Sequence, residues 1–363
     1  MNSSNTDYTD KKPQITQKLI QHVKNQRPKI IISGIGTGGH YFPAIVVAQE
    51  LIKRKAKVIF LVRKGHFEEK IARMCDLETF IINPRGFYGK SILNKIFSIF
   101  SILYSFYVLN TITKDVIGIA FGGFGALPLI ISCMFNRRPY YLFEPNRIPG
   151  RATKLFASRA QRIFLGLPLA AELKGNFVIT GIPIRQQFKT LAEKKVGAKK
   201  KVLFYGGSQG AQRLNRLALE LQGILTEEYQ IVIISGKRDY NWVNSKRNGR
   251  TTVIPFTLTP WDEMKDADLI VSRAGALVGY EILSSNKPVI FIPFPYAIDD
   301  HQYYNAEYFS KIGNAVVLRE EEMTEKIVAG KIVELMHRGT KKKAEIMLGA
   351  EQQIADVILK ELG

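Results

Sequence analysis

Val271-Ser272-Arg273-Ala274-Gly275-Ala276-Leu277-Val278-Gly279-Tyr280-Glu281 passes from one apolar run to another through a glycine turn. Leu269 to Val271 reads as a buried strand, Arg273 to Gly275 as a turn, and Ala276 to Leu283 as a helix. Strand, tight turn and helix form the repeating unit of a parallel α/β sheet. Glu281 follows Leu277 by four and Val278 by three, so the three share one helix face. A carboxylate in an apolar stripe must find a hydrogen-bonding partner or shift its pKa. Two readings follow. Glu281 either pairs structurally with Arg273 or a lysine, or binds the hydroxyls of a ligand lying over the carboxyl ends of the strands.

The same rhythm occurs on both sides of this unit. In the first half, candidate strands are Lys29–Ser33, Lys57–Val62, Thr79–Ile82, Val116–Phe121, Tyr140–Phe143 and Arg162–Leu165. Helical stretches such as Pro43–Arg54 and Ala126–Phe135 lie between them. Candidate strands of the second half are Val202–Tyr205, Gln230–Ser235, Thr251–Ile254, Asp268–Ser272 and Val289–Pro293. Its helices fall at Ala211–Gln222, Ala276–Ser285, Gln302–Ile312 and Glu322–His337, with a final helical pattern over Lys341–Leu362. The expected fold class is therefore α/β, with two parallel-sheet domains and a cleft between them.

A chain of 363 residues exceeds one ordinary core. The expected division is a polar extension over 1–27, a first domain over 28–188 and a basic linker over 189–201. A second domain then covers 202–340, and a last helix covers 341–363. Residues 1–27 lack the apolar segment of a signal peptide. Cys75 and Cys133 have no metal-ligand spacing and read as small core residues of a reducing compartment.

The net charge of +20 calls for an anionic partner. No zinc spacing or aromatic RNA-binding pattern accompanies it, so nucleic acid is disfavoured against phosphorylated substrate or anionic membrane. In Ile96–Leu109, Ser98, Ser101 and Ser105 form one narrow polar stripe, while Ile99, Phe100, Ile102, Leu103, Phe106 and Tyr107 cover the rest. At about 14 residues this helix is expected to be too short to span a bilayer. It is either buried all round or laid on a membrane surface with Lys90 and Lys95 at lipid phosphates.

Three further stretches carry candidate chemistry. Gly34-Ile35-Gly36-Thr37-Gly38-Gly39-His40 follows a strand and opens a helix, leaving backbone N–H groups free for an anion. The next strand ends in Arg63-Lys64-Gly65 rather than the acidic residue that holds a dinucleotide ribose, which counts against NAD. His40 either caps the helix or accepts a hydroxyl proton. Gly206-Gly207-Ser208-Gln209-Gly210 repeats the device in the second half and suits a diphosphate, though without the Gly-Lys-Ser/Thr of a P-loop. Gln302 and Asn305 share a face behind Asp299-Asp300-His301, and their amides match sugar hydroxyls.

These stretches occur in a fixed order. Gly36-Thr37-Gly38-Gly39-His40 with Pro43-Ala44 comes first, then Glu144-x-Asn146 and Gly206-Gly207-Ser208-Gln209-Gly210-Ala211. Arg273-x-Gly275-Ala276-Leu277 to Glu281 follows, and Gln302-x-x-Asn305-Ala306 comes last. The set resembles the MurG family of bacterial transferases, from about Lys29 to the end of the chain. The resemblance implies a GT-B fold, two Rossmann-like domains with parallel sheets facing a deep cleft. It also implies inverting transfer of N-acetylglucosamine from UDP-N-acetylglucosamine to the muramyl 4-hydroxyl of undecaprenyl-diphosphate-linked muramyl-pentapeptide (lipid I to lipid II), in peptidoglycan biosynthesis. No metal or other cofactor is implied, and the location is peripheral, on the cytoplasmic face of the cell membrane.

Carried onto this sequence, Glu281 would hold the ribose hydroxyls, and Ser208 with Arg185 the diphosphate. The Ala276 N–H, Asn146, Gln302 and Asn305 would read the sugar. Thr37, Gly38, Gly39 and His40 would line the first turn, with Thr37 and His40 facing the acceptor and His40 a candidate base. This sequence departs from the family pattern at Phe143, where a histidine is common, and at Phe124, where the acceptor loop usually has tyrosine. It departs again at Asp300-His301, where arginine and glutamine are usual. Competing readings are another GT-B lipid glycosyltransferase, such as one acting on a diacylglycerol, an enzyme of the UDP-N-acetylglucosamine 2-epimerase type, and a non-catalytic basic scaffold on the membrane surface.

Overall fold

Ile30-Ile31-Ile32 is a β-branched run without polar alternation, the pattern of a strand covered on both faces. The computed structural model describes residues 30–86, 91–113, 116–191, 199–207, 209–338 and 343–362. In it this run is β1 (Ile30–Ser33), fully buried at the centre of a seven-stranded sheet. The others are β2 (Val58–Val62), β3 (Thr79–Ile81), β4 (Ile117–Ala120), β5 (Tyr140–Glu144), β6 (Arg162–Leu165) and β7 (Phe177–Ile179). Their spatial order is β3-β2-β1-β4-β5-β6-β7, and every pairing is parallel. The helices of this half are α1 (Gly38–Lys53), α2 (Phe67–Met74), α3 (Ile92–Asn110), α4 (Ala126–Phe135), α5 (Arg151–Phe156) and α6 (Gln186–Lys189).

The second sheet contains β8 (Lys200–Tyr205), β9 (Tyr229–Ile234), β10 (Thr251–Ile254), β11 (Leu269–Ser272), β12 (Val289–Phe291) and β13 (Ala315–Val317). It is also wholly parallel, in the order β10-β9-β8-β11-β12-β13. Its helices are α7 (Gln212–Leu221), α8 (Tyr240–Ser245), α9 (Pro260–Asp266), α10 (Ala276–Ser284), α11 (His301–Ile312), α12 (Glu325–Arg338) and α13 (Ala350–Leu362). Strand order reverses between β1 and β4 in one sheet and between β8 and β11 in the other. Ligand crevices open at the carboxyl ends of such strand pairs, and each of the two glycine turns sits at one of them.

The halves are fastened together. Ile354, Ala355 and Ile358 of α13 are buried in the apolar cluster that holds Val47 and Leu51 of α1. Each such isoleucine contributes roughly 1.5–3 kcal/mol when fully buried. Asp356 pairs with Arg54, Glu351 pairs with Lys189, and Glu361 accepts from Tyr141 at 2.5 Å and Arg162 at 2.8 Å. The last helix thus returns to the first domain.

Several boundaries differ from expectation. β7 and β13 lack a distinguishing pattern in so short a run, each three residues long. β8 starts at Lys200, inside the stretch read as linker. The final helix begins only at Ala350, since Gly349 takes a left-handed φ of +87° immediately before it. Most consequential is α3: at 19 residues it is longer than the 14 expected. That gives it a length of about 28 Å at 1.5 Å per residue. The segment Leu93–Asn110 is long and apolar enough to cross a membrane, so the length argument against a span is corrected. The 1–27 extension, Lys90, Lys194, Lys195 and Ser208 lie outside the described residues.

Candidate functional site

The first crevice is built around His40. Thr37 is the N-cap of α1 and gives it no side-chain cap; its Oγ1 lies 3.3 Å from His40 Nδ1 instead. Gly122 and Gly123, at the end of β4, take left-handed φ of +80° and +72°. A Cβ on Gly122 would come within 3.3 Å of His40 Nε2, so the imidazole is clasped between two backbone turns that only glycine accommodates. Burial pushes His40 down to about 4, and the charge of His301 on the opposite wall adds to the shift. His40 is therefore neutral at physiological pH and able to accept a proton. Gly38 and Gly39 occupy the first turn of α1, where N–H groups have no intrahelical partner.

The second crevice has the same build. Gly207 and Gly210 take φ of +80° and +73°, and a Cβ on Gly210 would meet the Ser235 carbonyl at 2.2 Å. Ala276 starts α10 directly after the turn from β11. Glu281 is 1 % exposed and its Oε1 accepts from Arg185 Nε at 3.3 Å and Nη2 at 3.1 Å. Burial raises the Glu281 carboxyl's pKa, and the Arg185 guanidinium opposes that rise. The cation expected beside it, Arg273, is engaged elsewhere, with Glu320 at 2.6 Å and the carbonyls of Ile292 and Pro293 at 3.1 Å. Arg185 donates to the Leu258 carbonyl at 3.0 Å and lies over Phe42, Phe188 and Trp261. In this structure Arg185 thus sits in an aromatic cage at the domain junction, holding the carboxylate rather than standing open for a diphosphate.

Between the crevices runs a polar bridge. Asn305, fully buried on α11, donates to Asn146 Oδ1 at 3.0 Å and the Ala274 carbonyl at 3.3 Å, and accepts from Arg147 N at 3.1 Å. Asn146 in turn donates to Glu144 at 3.1 Å. The buried Glu144 carboxylate also accepts from Gly150 N at 2.8 Å and Thr153 Oγ1 at 2.6 Å. The amides of Asn146 and Asn305, expected to read a sugar, here join one domain to the other. Gln302 uses its Oε1 on Phe294 N at 3.1 Å, and its NH₂ has no partner among the described residues.

Sequence reasoning passed over the flanking clamps. Arg147 pairs with Glu307 at 3.6 Å and covers Tyr308, and Lys154 pairs with Asp299 at 2.7 Å. Asp299 and Asp300 both take left-handed φ, +53° and +49°, a strained turn that presents His301 at the head of α11. His301 Nδ1 meets the Ile298 carbonyl at 2.9 Å, which fixes that nitrogen as the donor. The departures noted above are also placed: Phe143 packs in the core against Phe121, and the Phe124 ring lies under Arg63.

The polarity of α3 is inverted. Ser98 and Ser105 are buried, with Ser98 donating to the Gly86 carbonyl and Ser101 accepting from Arg85 N, both at 2.9 Å. Leu93, Phe97, Phe100, Tyr104 and Tyr107 face outward and are 60–70 % exposed.

Comparison with known proteins fixes the family. The glycosyltransferase family 28 N-terminal domain matches residues 30–165, and the family's C-terminal domain matches residues 201–361. This chain belongs to glycosyltransferase family 28. It is thus a glycosyltransferase of two α/β domains. Family-28 relatives include the UDP-N-acetylglucosamine–N-acetylmuramyl-(pentapeptide) pyrophosphoryl-undecaprenol N-acetylglucosamine transferase of Aquifex aeolicus. That protein is 32 % identical over 81 % of this chain and 88 % of its own length. The enzyme of the same name from Thermodesulfovibrio yellowstonii is 33 % identical over 85 % and 90 %. Among solved structures, MurG of Acinetobacter baumannii superposes with a TM-score of 0.71 at 24 % identity, over 92 % of this chain and all of that one. A putative UDP-N-acetylglucosamine 2-epimerase from Listeria monocytogenes superposes at 0.64 with 12 % identity, over 92 % of this chain and 97 % of that one. The family-28 architecture is thus shared with a protein named for other chemistry, and the fold alone does not select the reaction.

Proposed function

We propose that this glycosyltransferase moves N-acetylglucosamine from UDP-N-acetylglucosamine to the muramyl 4-hydroxyl of an undecaprenyl-diphosphate-linked muramyl-pentapeptide. The observation that carries the reading is the pairing of a neutral, glycine-clasped His40 in one crevice with the buried Glu281 in the opposite one. The names of the relatives agree with it.

In this reading the acceptor oxygen attacks the anomeric carbon from the face opposite the nucleotide. The carbon–oxygen bond to UDP breaks, UDP leaves with the electron pair, and His40 takes the hydroxyl proton. Free N–H groups at the second glycine turn stabilise charge developing on the diphosphate. Glu281 holds the ribose hydroxyls once Arg185 releases it, and Gln302 offers its NH₂ to the sugar. Donor entry separates Asn305 from Asn146, and reclosure excludes the water that would hydrolyse the donor. The outward apolar face of α3 lies in the plane of the cytoplasmic membrane surface, which brings the lipid-borne acceptor to the cleft.

The test is incubation with labelled UDP-N-acetylglucosamine and a short-chain lipid I analogue. A disaccharide-bearing lipid supports the reading. UDP release without acceptor would move the chain to the epimerase chemistry, and transfer to diacylglycerol would move it to another lipid glycosyltransferase.

A further inference from the structure

A cavity of about 400 Å³ lies away from the donor crevice, at the carboxyl ends of β2 and β3, lined by Arg63, His66, Asn83, Pro84, Arg85 and Gly86. Among the described residues its lining contains no carboxylate. Arg63 spends Nε and Nη2 on Glu68, leaving Nη1 free of any partner among the described residues. The Arg85 guanidinium, exposed, has no carboxylate partner among those residues; only its backbone N–H is engaged, by Ser101. Asn83 accepts from Lys64 N at 3.3 Å, which turns its NH₂ to solvent or ligand. Two guanidinium groups, an imidazole and an amide NH₂ on one concave wall form a donor-rich site for an anion.

The cavity's neighbours give that anion an identity. On one side the Phe124 ring lies beneath Arg63 and against Gly86, and Phe124 follows the Gly122-Gly123 turn that clasps His40. On the other side Arg85 and Gly86 are bonded to Ser101 and Ser98 of α3, whose outer face is exposed and apolar. The surface therefore presents, in order, a base, a cationic cavity and an apolar helix. A lipid-linked sugar presents, in order, a reacting hydroxyl, a diphosphate and a hydrocarbon chain.

We propose that the Arg63–His66–Arg85 cavity binds the diphosphate of the lipid-linked acceptor, holding the sugar at His40 and the hydrocarbon along α3. This rests on the reading that the acceptor is a lipid diphosphate. Arg63 is the inner contact, fixed by Glu68 and Phe124, and Arg85 is the outer one.

The test uses the full chain with R85Q, which removes no side-chain bond seen among the described residues. Binding of a short-chain prenyl diphosphate without sugar is measured by calorimetry in non-ionic detergent micelles. R85Q is expected to weaken binding about tenfold, the worth of one charge-assisted hydrogen bond. A prenyl alcohol should bind the two proteins equally. In transfer assays the acceptor KM should rise about as much, while kcat and the donor KM stay within about twofold. Equal prenyl diphosphate binding by R85Q and the unaltered chain overturns the proposal, as does a defect seen only on anionic vesicles, which would make Arg85 a bilayer contact. Retained prenyl diphosphate binding without any sugar transfer would instead sink the proposed reaction and leave the cavity assignment standing.

Discussion

Arg185 and Glu281, 96 residues apart in the chain, meet at 3.1 Å across the junction of the two domains, with the carboxylate almost wholly buried. The pair draws together the α6 segment, α10 and Phe42 of α1 around one guanidinium. Removing one partner of a buried pair costs about 3–5 kcal/mol, because the other charge is left uncompensated. Arg185→Ala should therefore lower the thermal midpoint more than Glu281→Gln, which keeps a neutral hydrogen-bonding group. Glu281→Ala should also raise the donor KM strongly. Equal midpoints for Arg185→Ala and the unaltered chain would show that the pair carries no stability.

His40 is predicted to set an unusual acid limb. Its folded pKa, about 4, lies below the ordinary 6.5, so the folded chain binds this proton less tightly than the unfolded one. Stability from this group is full above pH 6.5 and is lost as pH falls through 4. Transfer should stay flat through pH 6.5 and fail only near pH 4. His40→Ala should reduce kcat by roughly 10²-fold. A kcat profile with a step near 6.5 would reject the burial-shifted imidazole.

The Asn305–Asn146 bond predicts how the cleft is held shut. Asn305→Ala leaves Arg147 N and the Ala274 carbonyl without their partner, at a cost of about 1–3 kcal/mol. Small-angle scattering of the unliganded variant should show a larger radius of gyration. An unchanged scattering curve would mean that the ion pairs Lys154–Asp299 and Arg147–Glu307 suffice.

Gly279 is a packing position. A Cβ there would stand 2.1 Å from the ring of Phe309, itself packed against Phe291. Gly279→Ala should cost about 1–3 kcal/mol by forcing α10 and α11 apart, read as a shift in urea midpoint.

The exposed side of α3 predicts a separable membrane defect. Phe97 and Phe100 are 60 % and 64 % exposed, so replacing both with serine should change stability by no more than about 0.5 kcal/mol each. Vesicle co-sedimentation should drop sharply. Full retention on vesicles would direct attention to the basic surface instead.

The chain's alternating apolar and amphipathic runs, with a glycine turn after the first strand of each half, were enough to specify two parallel sheets. Burial on both faces leaves a continuous apolar run, and a glycine turn records where a backbone must come close. Pattern also pointed to Glu281, because a carboxylate in an apolar stripe demands a partner, to His40 through its place on the first glycine turn, and to Asn305 through an amide that matches sugar hydroxyls. Who those partners are was decided only by the tertiary structure. Arg185 rather than Arg273 reaches Glu281, since the connection between domains brings it there and Glu320 claims Arg273. The serine stripe of α3 turned inward because Arg85 and Gly86 offer it hydrogen bonds, which sent the aromatic residues outward. Local spacing fixes which side chains share a face; only the packed fold determines what that face meets.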